Sequence, residues 1–147
     1  MSQSRYAIRK ATPADLNEIK TLADAHKHEL GFVLRPALAK SIARQEVLVA
    51  ANGADLIGFV AYHHRKDTQT TLYHLAVTPE WRRHGIGQEL IEALRREAIE
   101  LDKTCILLKC PEDLSANIFY EWQGFKLIAK EKGQRRKLNV WQLSLHF

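Results

Sequence analysis

From Pro79 to Ala98 the chain reads PEWRRHGIGQELIEALRREA, with two arginines, a histidine and two glycines directly ahead of an amphipathic stretch. The first turn of a helix leaves backbone N–H groups without intrahelical acceptors and carries the positive end of the macrodipole. A phosphate can therefore dock there if no side chain keeps it away. Gly85 and Gly87 permit that approach, and Arg82 and Arg83 add charge and donors. A pyrophosphate suits such a mouth better than a single carboxylate does. Taken alone, RxxGxG also fits a tight, well-capped loop with exposed arginines. Two other phosphate patterns are excluded. Leu90 stands where the third glycine of a GxGxxG dinucleotide fingerprint belongs, and no GxxxxGK[ST] occurs.

The elements that must position this loop follow from periodicity and punctuation. Tyr6–Arg9 reads as a short strand. Thr12 caps a helix opened by Pro13, which is expected to run to about Glu29 with Leu16, Ile19, Leu22 and Ala23 at helical spacing. Gly31 and Pro36 bracket the loop GFVLRP, and Ala37–Arg44 predicts a second short helix. Val47–Ala51 and Leu56–His63 flank NGAD and form an antiparallel hairpin. Thr70–Val77 is the next strand. A long helix follows from Gly85 to Leu101, with Leu90, Ile91, Leu94, Ala98 and Leu101 on one face. The apolar run TCILLKC predicts a strand buried on both sides. A helix over Ser115–Trp122 ends at Gly124, and Phe125–Lys130 and Leu138–Leu145 close the chain as strands. The order excludes a doubly wound fold. It predicts a mixed α/β domain, with a mostly antiparallel sheet of six to seven strands flanked by about four helices.

The chain has 147 residues, 46% hydrophobic and 27% charged, a balance that fits one domain over residues 1–147 with a real core. Neither a signal-peptide-like run nor a bilayer-length apolar stretch is visible, so a cytoplasmic protein without membrane attachment is expected. The net charge of +5 favours an anionic partner. The basic residues come in pairs and triplets separated by glutamates, unlike the one-faced stripe of a nucleic-acid module, so nucleic acid is disfavoured. Cys105 and Cys110 form no CxxC pair and have no zinc-spaced histidine, which argues against metal or disulfide use. Cys105 is expected to be buried and Cys110 to be the more accessible thiol.

LAVTPEWRRHGIGQELIEAL resembles the core motif of the GCN5-related N-acetyltransferases (GNAT), in which [RQ]xxGx[GA] holds the pyrophosphate of acetyl-CoA. Arg82 through Gly87 match that motif position for position. ANIFYEWQGFK is similar to the family's second signature, a helix tyrosine ahead of a closing Gly-Phe, and the element order is the family's over essentially the whole chain.

The resemblance implies the GNAT fold and an acetyl-CoA-dependent N-acetyltransferase acting on a primary amine, as a monomer or homodimer, with no metal. It implies cofactor contacts from Leu75, Ala76 and Val77 to the pantetheine arm, on the edge opened where this strand and TCILLKC splay apart. Arg82, Arg83, His84, Gly85, Ile86, Gly87 and Gln88 would surround the phosphates. Tyr120 matches the general-acid position and also contacts the cofactor. No glutamate stands in the usual base positions. Leu107 and Leu108 occupy the later strand, and His74, on the same side as Ala76, is the candidate base beside a water chain ending at Glu29, Glu112 or another carboxylate. The family's asparagine seven residues before the tyrosine is here Asp113, and Asn117 is the candidate replacement. Phe32, Leu34 and Trp141 could wall an acceptor site, with Arg35 and Arg135 for an acidic group. A Cys110 acyl-enzyme is disfavoured, because direct transfer needs no covalent intermediate. The alternative function is a non-catalytic acetyl-CoA sensor, or a basic protein- or RNA-interaction module on the same fold.

Overall fold

Residues 6–145 are described by the computed structural model. After strand β1 (Ala7–Lys10), Thr12 and Pro13 open a helical region as their types predict, but through a tighter first turn. Pro13–Asp15 is a 3-10 turn that leads into α1 (Leu16–Ala25). The buried Asp15 carboxylate accepts the Thr12 N–H at 2.7 Å and two Arg9 nitrogens at 2.8 and 3.0 Å. The Arg9 guanidinium outweighs the opposing effect of burial and holds the Asp15 pKa down at about 2. The unfolded value is about 4, so the stabilisation is present above that pH and is lost as pH falls through the folded pKa. Asp15→Asn is expected to cost about 1–3 kcal/mol at neutral pH. Thermal melts should show the gap to wild type closing as pH falls from about 4 towards about 2.

The first helix does not run unbroken to Glu29. It stops at Ala25, His26 takes φ −111° and ψ 29°, and a separate turn, α2 (Lys27–Leu30), follows. The break makes five helices among the described residues where about four were expected. α3 (Arg35–Ala43) begins earlier than expected, with Pro36 in its first turn, where a missing N–H costs nothing.

The remaining elements are β2 (Val47–Asn52), β3 (Asp55–His64), β4 (Gln69–Val77), α4 (Ile86–Glu100), β5 (Cys105–Pro111), α5 (Ala116–Trp122), β6 (Lys126–Lys132) and β7 (Lys137–Ser144). Among the described residues, seven strands form one mixed sheet in the order β1-β2-β3-β4-β5-β7-β6. The β1–β2, β2–β3, β5–β7 and β6–β7 ladders are antiparallel. β4 and β5 run parallel, as a helical crossover allows, and pair only over Gln69–Thr71 with Cys105–Leu107, although β4 runs on to Val77.

The chain divides into two compact units. The first takes residues 6–62 with His74–Leu94, and the second takes His63–Tyr73 with residues 95–145. In the first, Ile19, Leu22, Ala23, Leu38 and Ile42 of the helices pack with Val47, Val49, Phe59, Ala61 and Ala76 of the strands. In the second, Ile106, Leu108, Phe125, Val140 and Leu143 are buried.

β5 departs from its expected burial. Ile106, Leu108 and Cys110 are buried, Cys105 and Leu107 are half-buried, and Lys109 is exposed. Successive side chains alternate faces, and this parity prevails over an apolar run that reads as buried on both sides. The two thiols therefore exchange their expected places: Cys110 is the buried one, Cys105 the more accessible. Burial pushes the Cys110 thiol up to about 11. It stays protonated at neutral pH and is a poor nucleophile.

Candidate active site

In the first unit, β4 delivers the chain to the arginine–glycine loop. The Thr78 N–H bonds the Ile57 carbonyl at 2.9 Å, and a 3-10 turn over Pro79–Trp81 closes with the Arg82 N–H on the Pro79 carbonyl at 3.2 Å. Arg83 and Gly85 then take φ 67° and 77°. A Cβ at Gly85 would meet nothing within 4 Å, so glycine serves conformation there rather than space. Arg83 carries a side chain through the same left-handed region, at a cost of order 1 kcal/mol that the surrounding loop must hold in place.

α4 makes its first bond from the Glu89 N–H to the Gly85 carbonyl at 3.0 Å. The amides of Ile86, Gly87 and Gln88 precede that bond and have no intrahelical acceptor. Ile86, Leu90, Ile91 and Leu94 bury the inner face of the helix, while Arg82, Arg83, His84 and Gln88 stay exposed around its mouth.

Four contacts brace this loop. Trp81 lies 5.2 Å from the His84 ring and 6.3 Å from Tyr6, centroid to centroid. The Tyr6 hydroxyl donates to the Glu89 carboxylate, and burial together with that carboxylate pushes the phenol up to about 12. On the other side, Arg82 Nη2 donates to His26 Nε2 at 2.9 Å.

His74 shares its strand face with Leu72 and Ala76, both buried, and is itself half-buried. Burial lowers its pKa, which favours the neutral imidazole that a base must start from.

In the second unit, α5 ends as expected at Gly124, with φ 99°. Tyr120 is 7% exposed and packs edge-on against Phe119 and Phe125 at 5.4 and 5.6 Å. Its hydroxyl makes no hydrogen bond among the described residues. Burial, reinforced by Cys110, raises its pKa well above the ordinary phenol value. The ring is core and the hydroxyl is spare.

Asn117 uses its whole amide internally. Nδ2 donates to the Pro111 and Leu114 carbonyls, both at 2.8 Å, and Oδ1 accepts from Asn139 Nδ2 at 3.0 Å and Trp141 Nε1 at 2.8 Å. These bonds tie the end of β5 and the start of α5 to β7, so a ligand contact at Asn117 requires one of them to exchange. Asp113 accepts from Arg136 Nη2 at 2.9 and 3.0 Å. Trp141 is a buried hub here, whereas Phe32 and Leu34 are 79% and 64% exposed. Arg35 donates to Asn17 Oδ1 at 2.6 Å and Arg135 is exposed. Glu29 is exposed, and Glu112 lies 3.4 Å from Lys130.

A family model described as the acetyltransferase (GNAT) domain matches residues 43–127, more than half of the chain. The chain belongs to the GNAT family. Solved structures share its fold along nearly its whole length. Ard1 from Thermoplasma volcanium is 18% identical with a TM-score of 0.87, covering 97% of this chain and 99% of its own. The ribosomal-protein-alanine N-acetyltransferase from Brucella melitensis is 25% identical with a TM-score of 0.78, covering 95% and 99%. N-acetylglutamate synthase from Neisseria gonorrhoeae, solved with coenzyme A and N-acetyl-glutamate, is 17% identical with a TM-score of 0.85, covering 99% of this chain and 36% of its own. In this GNAT domain the match spans the arginine–glycine loop and Tyr120, but not His26, which braces the loop from α1 and which no local motif marks.

Proposed function

We propose that this GNAT domain transfers the acetyl group of acetyl-CoA directly to a primary amine of a small molecule, peptide or protein. The observation that carries this is the mouth of α4: three amides ahead of the first helical bond, two left-handed residues turning the loop, and exposed arginines around it. That mouth fits a pyrophosphate. Acetyl-CoA, when bound, supplies an activated thioester. The amides from Arg83 to Gln88 hold its phosphates, with Arg82 adding a cation. The backbone of Leu75, Ala76 and Val77 pairs with the pantetheine arm as if with an added strand, and one of its N–H groups faces the thioester carbonyl, where charge develops.

His74, neutral at working pH, accepts a proton from the attacking amine, directly or through water. As the C–N bond forms and the C–S bond breaks, the Tyr120 hydroxyl donates to the departing sulfur. Asn117 keeps the start of α5 in place and exchanges one bond for a pantetheine contact.

Calorimetry with acetyl-CoA, followed by a thiol-release screen over pooled amines, tests the assignment. A non-catalytic sensor has one observation in its favour, Leu107 and Leu108 on β5 where many relatives carry a glutamate. It predicts binding without thiol release for any amine. Gly87→Val places a branched side chain among the phosphate-facing amides. It is expected to weaken coenzyme A binding by roughly tenfold or more in a folded protein, the loss of one charge-assisted bond or more. Unchanged affinity would place the phosphates elsewhere.

A further inference from the structure

The His26 ring is 6% exposed and sits at the break between α1 and α2. The His26 N–H bonds the Ala23 carbonyl at 3.0 Å, so the Leu22 carbonyl, its regular helical acceptor, receives the ring instead, with Nδ1 at 3.0 Å. A carbonyl only accepts, so Nδ1 carries the proton. Nε2 then presents a lone pair, and Arg82 Nη2, 2.9 Å away, donates to it. Both partners thus select a single neutral tautomer. Leu22 and Ala23 lie in the packed core, which fixes the ring's direction. Arg82 spends one of its five N–H donors on His26, and this is its one side-chain hydrogen bond among the described residues.

We infer that His26 is a positioning residue for the cofactor. It aims the Arg82 guanidinium at the phosphate-binding mouth of α4 and ties the α1–α2 junction to that loop. The inference rests on the acetyl-CoA function proposed above. An unrestrained arginine on an exposed loop samples many rotamers, and ordering it on binding costs affinity. The imidazole removes part of that cost in advance, and its neutral acceptor leaves the positive charge on Arg82 undiminished. A carboxylate in the same place would not.

The test is the dissociation constant for coenzyme A, measured calorimetrically on the full chain. His26→Phe keeps the ring volume and removes both polar atoms. It is expected to weaken binding about 5- to 10-fold, and Arg82→Ala by at least as much. The double variant should be no weaker than Arg82→Ala alone, because His26 acts only through Arg82. His26→Gln, whose amide oxygen reaches the Nε2 position, should recover most of the affinity, whereas His26→Asn, which reaches only the Leu22 side, should not.

Should His26→Phe fail to fold, the Gln and Asn variants decide the question: equal affinities overturn the inference. Effects of His26→Phe and Arg82→Ala that simply add overturn it too, as does a folded His26→Phe with wild-type affinity. In each of these cases a wild-type protein that binds coenzyme A leaves the proposed function standing. A wild type that does not bind removes that function and the inference with it.

Discussion

Tyr120→Phe is expected to bind coenzyme A nearly normally, melt at the wild-type temperature, and lose roughly 10- to 1,000-fold in kcat. The substitution keeps the ring, and with it the edge-on contacts to Phe119 and Phe125. It removes a hydroxyl that makes no hydrogen bond among the described residues, so no protein–protein bond is lost. A packing role alone therefore predicts no change in stability or turnover. A catalytic role predicts loss in kcat and kcat/KM together, because the hydroxyl's donated bond strengthens only as charge gathers on sulfur.

The raised pKa refines that role. A phenol this reluctant to ionise stays protonated across the working range, so Tyr120 contributes no basic limb to the pH profile near neutrality. It acts first as a donor that stabilises the leaving thiolate, with proton transfer following. Steady-state kinetics under conditions where chemistry limits the rate provides the measurement. A folded Tyr120→Phe with wild-type turnover would remove Tyr120 from the mechanism.

His74→Gln is the second large effect, a fall in kcat/KM of roughly 100-fold or more. Burial disfavours the charged imidazole, so the folded pKa lies below the ordinary histidine value. The base is competent above that depressed pKa and is lost as pH falls through it. The acid limb of wild-type kcat/KM should therefore lie below the ordinary histidine range of about 6.5, and should vanish in His74→Gln along with most of the rate. A variant that keeps both limb and rate would hand the proton to a water chain leading to a carboxylate.

How far the site can be read from sequence depends on how far apart its parts lie along the chain. The Arg82–Gly87 loop is legible because its physics is local. Left-handed turns favour glycine, helix mouths expose amides, and cations beside them attract anions, all within six residues. α4 and α5 are legible for the same reason, through 3.6-residue periodicity and the glycine after Trp122. The order of strands around one long helix also carries enough topology to exclude a doubly wound sheet.

What only the tertiary structure decided involves partners distant in sequence. His26 meets Arg82 across 56 residues, and no property of either segment announces the other. The same ring takes the Leu22 carbonyl where α1 breaks, and periodicity alone carries that helix on towards Glu29. The family resemblance makes Asn117 a candidate ligand contact in place of Asp113, but its acceptor is filled by Asn139 and by Trp141, 24 residues away. Cys105 and Cys110 exchanged places because burial in a strand follows which face of the pleat meets the core, and composition does not specify that face. Local propensity fixes what a segment can become, while long-range packing fixes which of its polar atoms remain for a ligand.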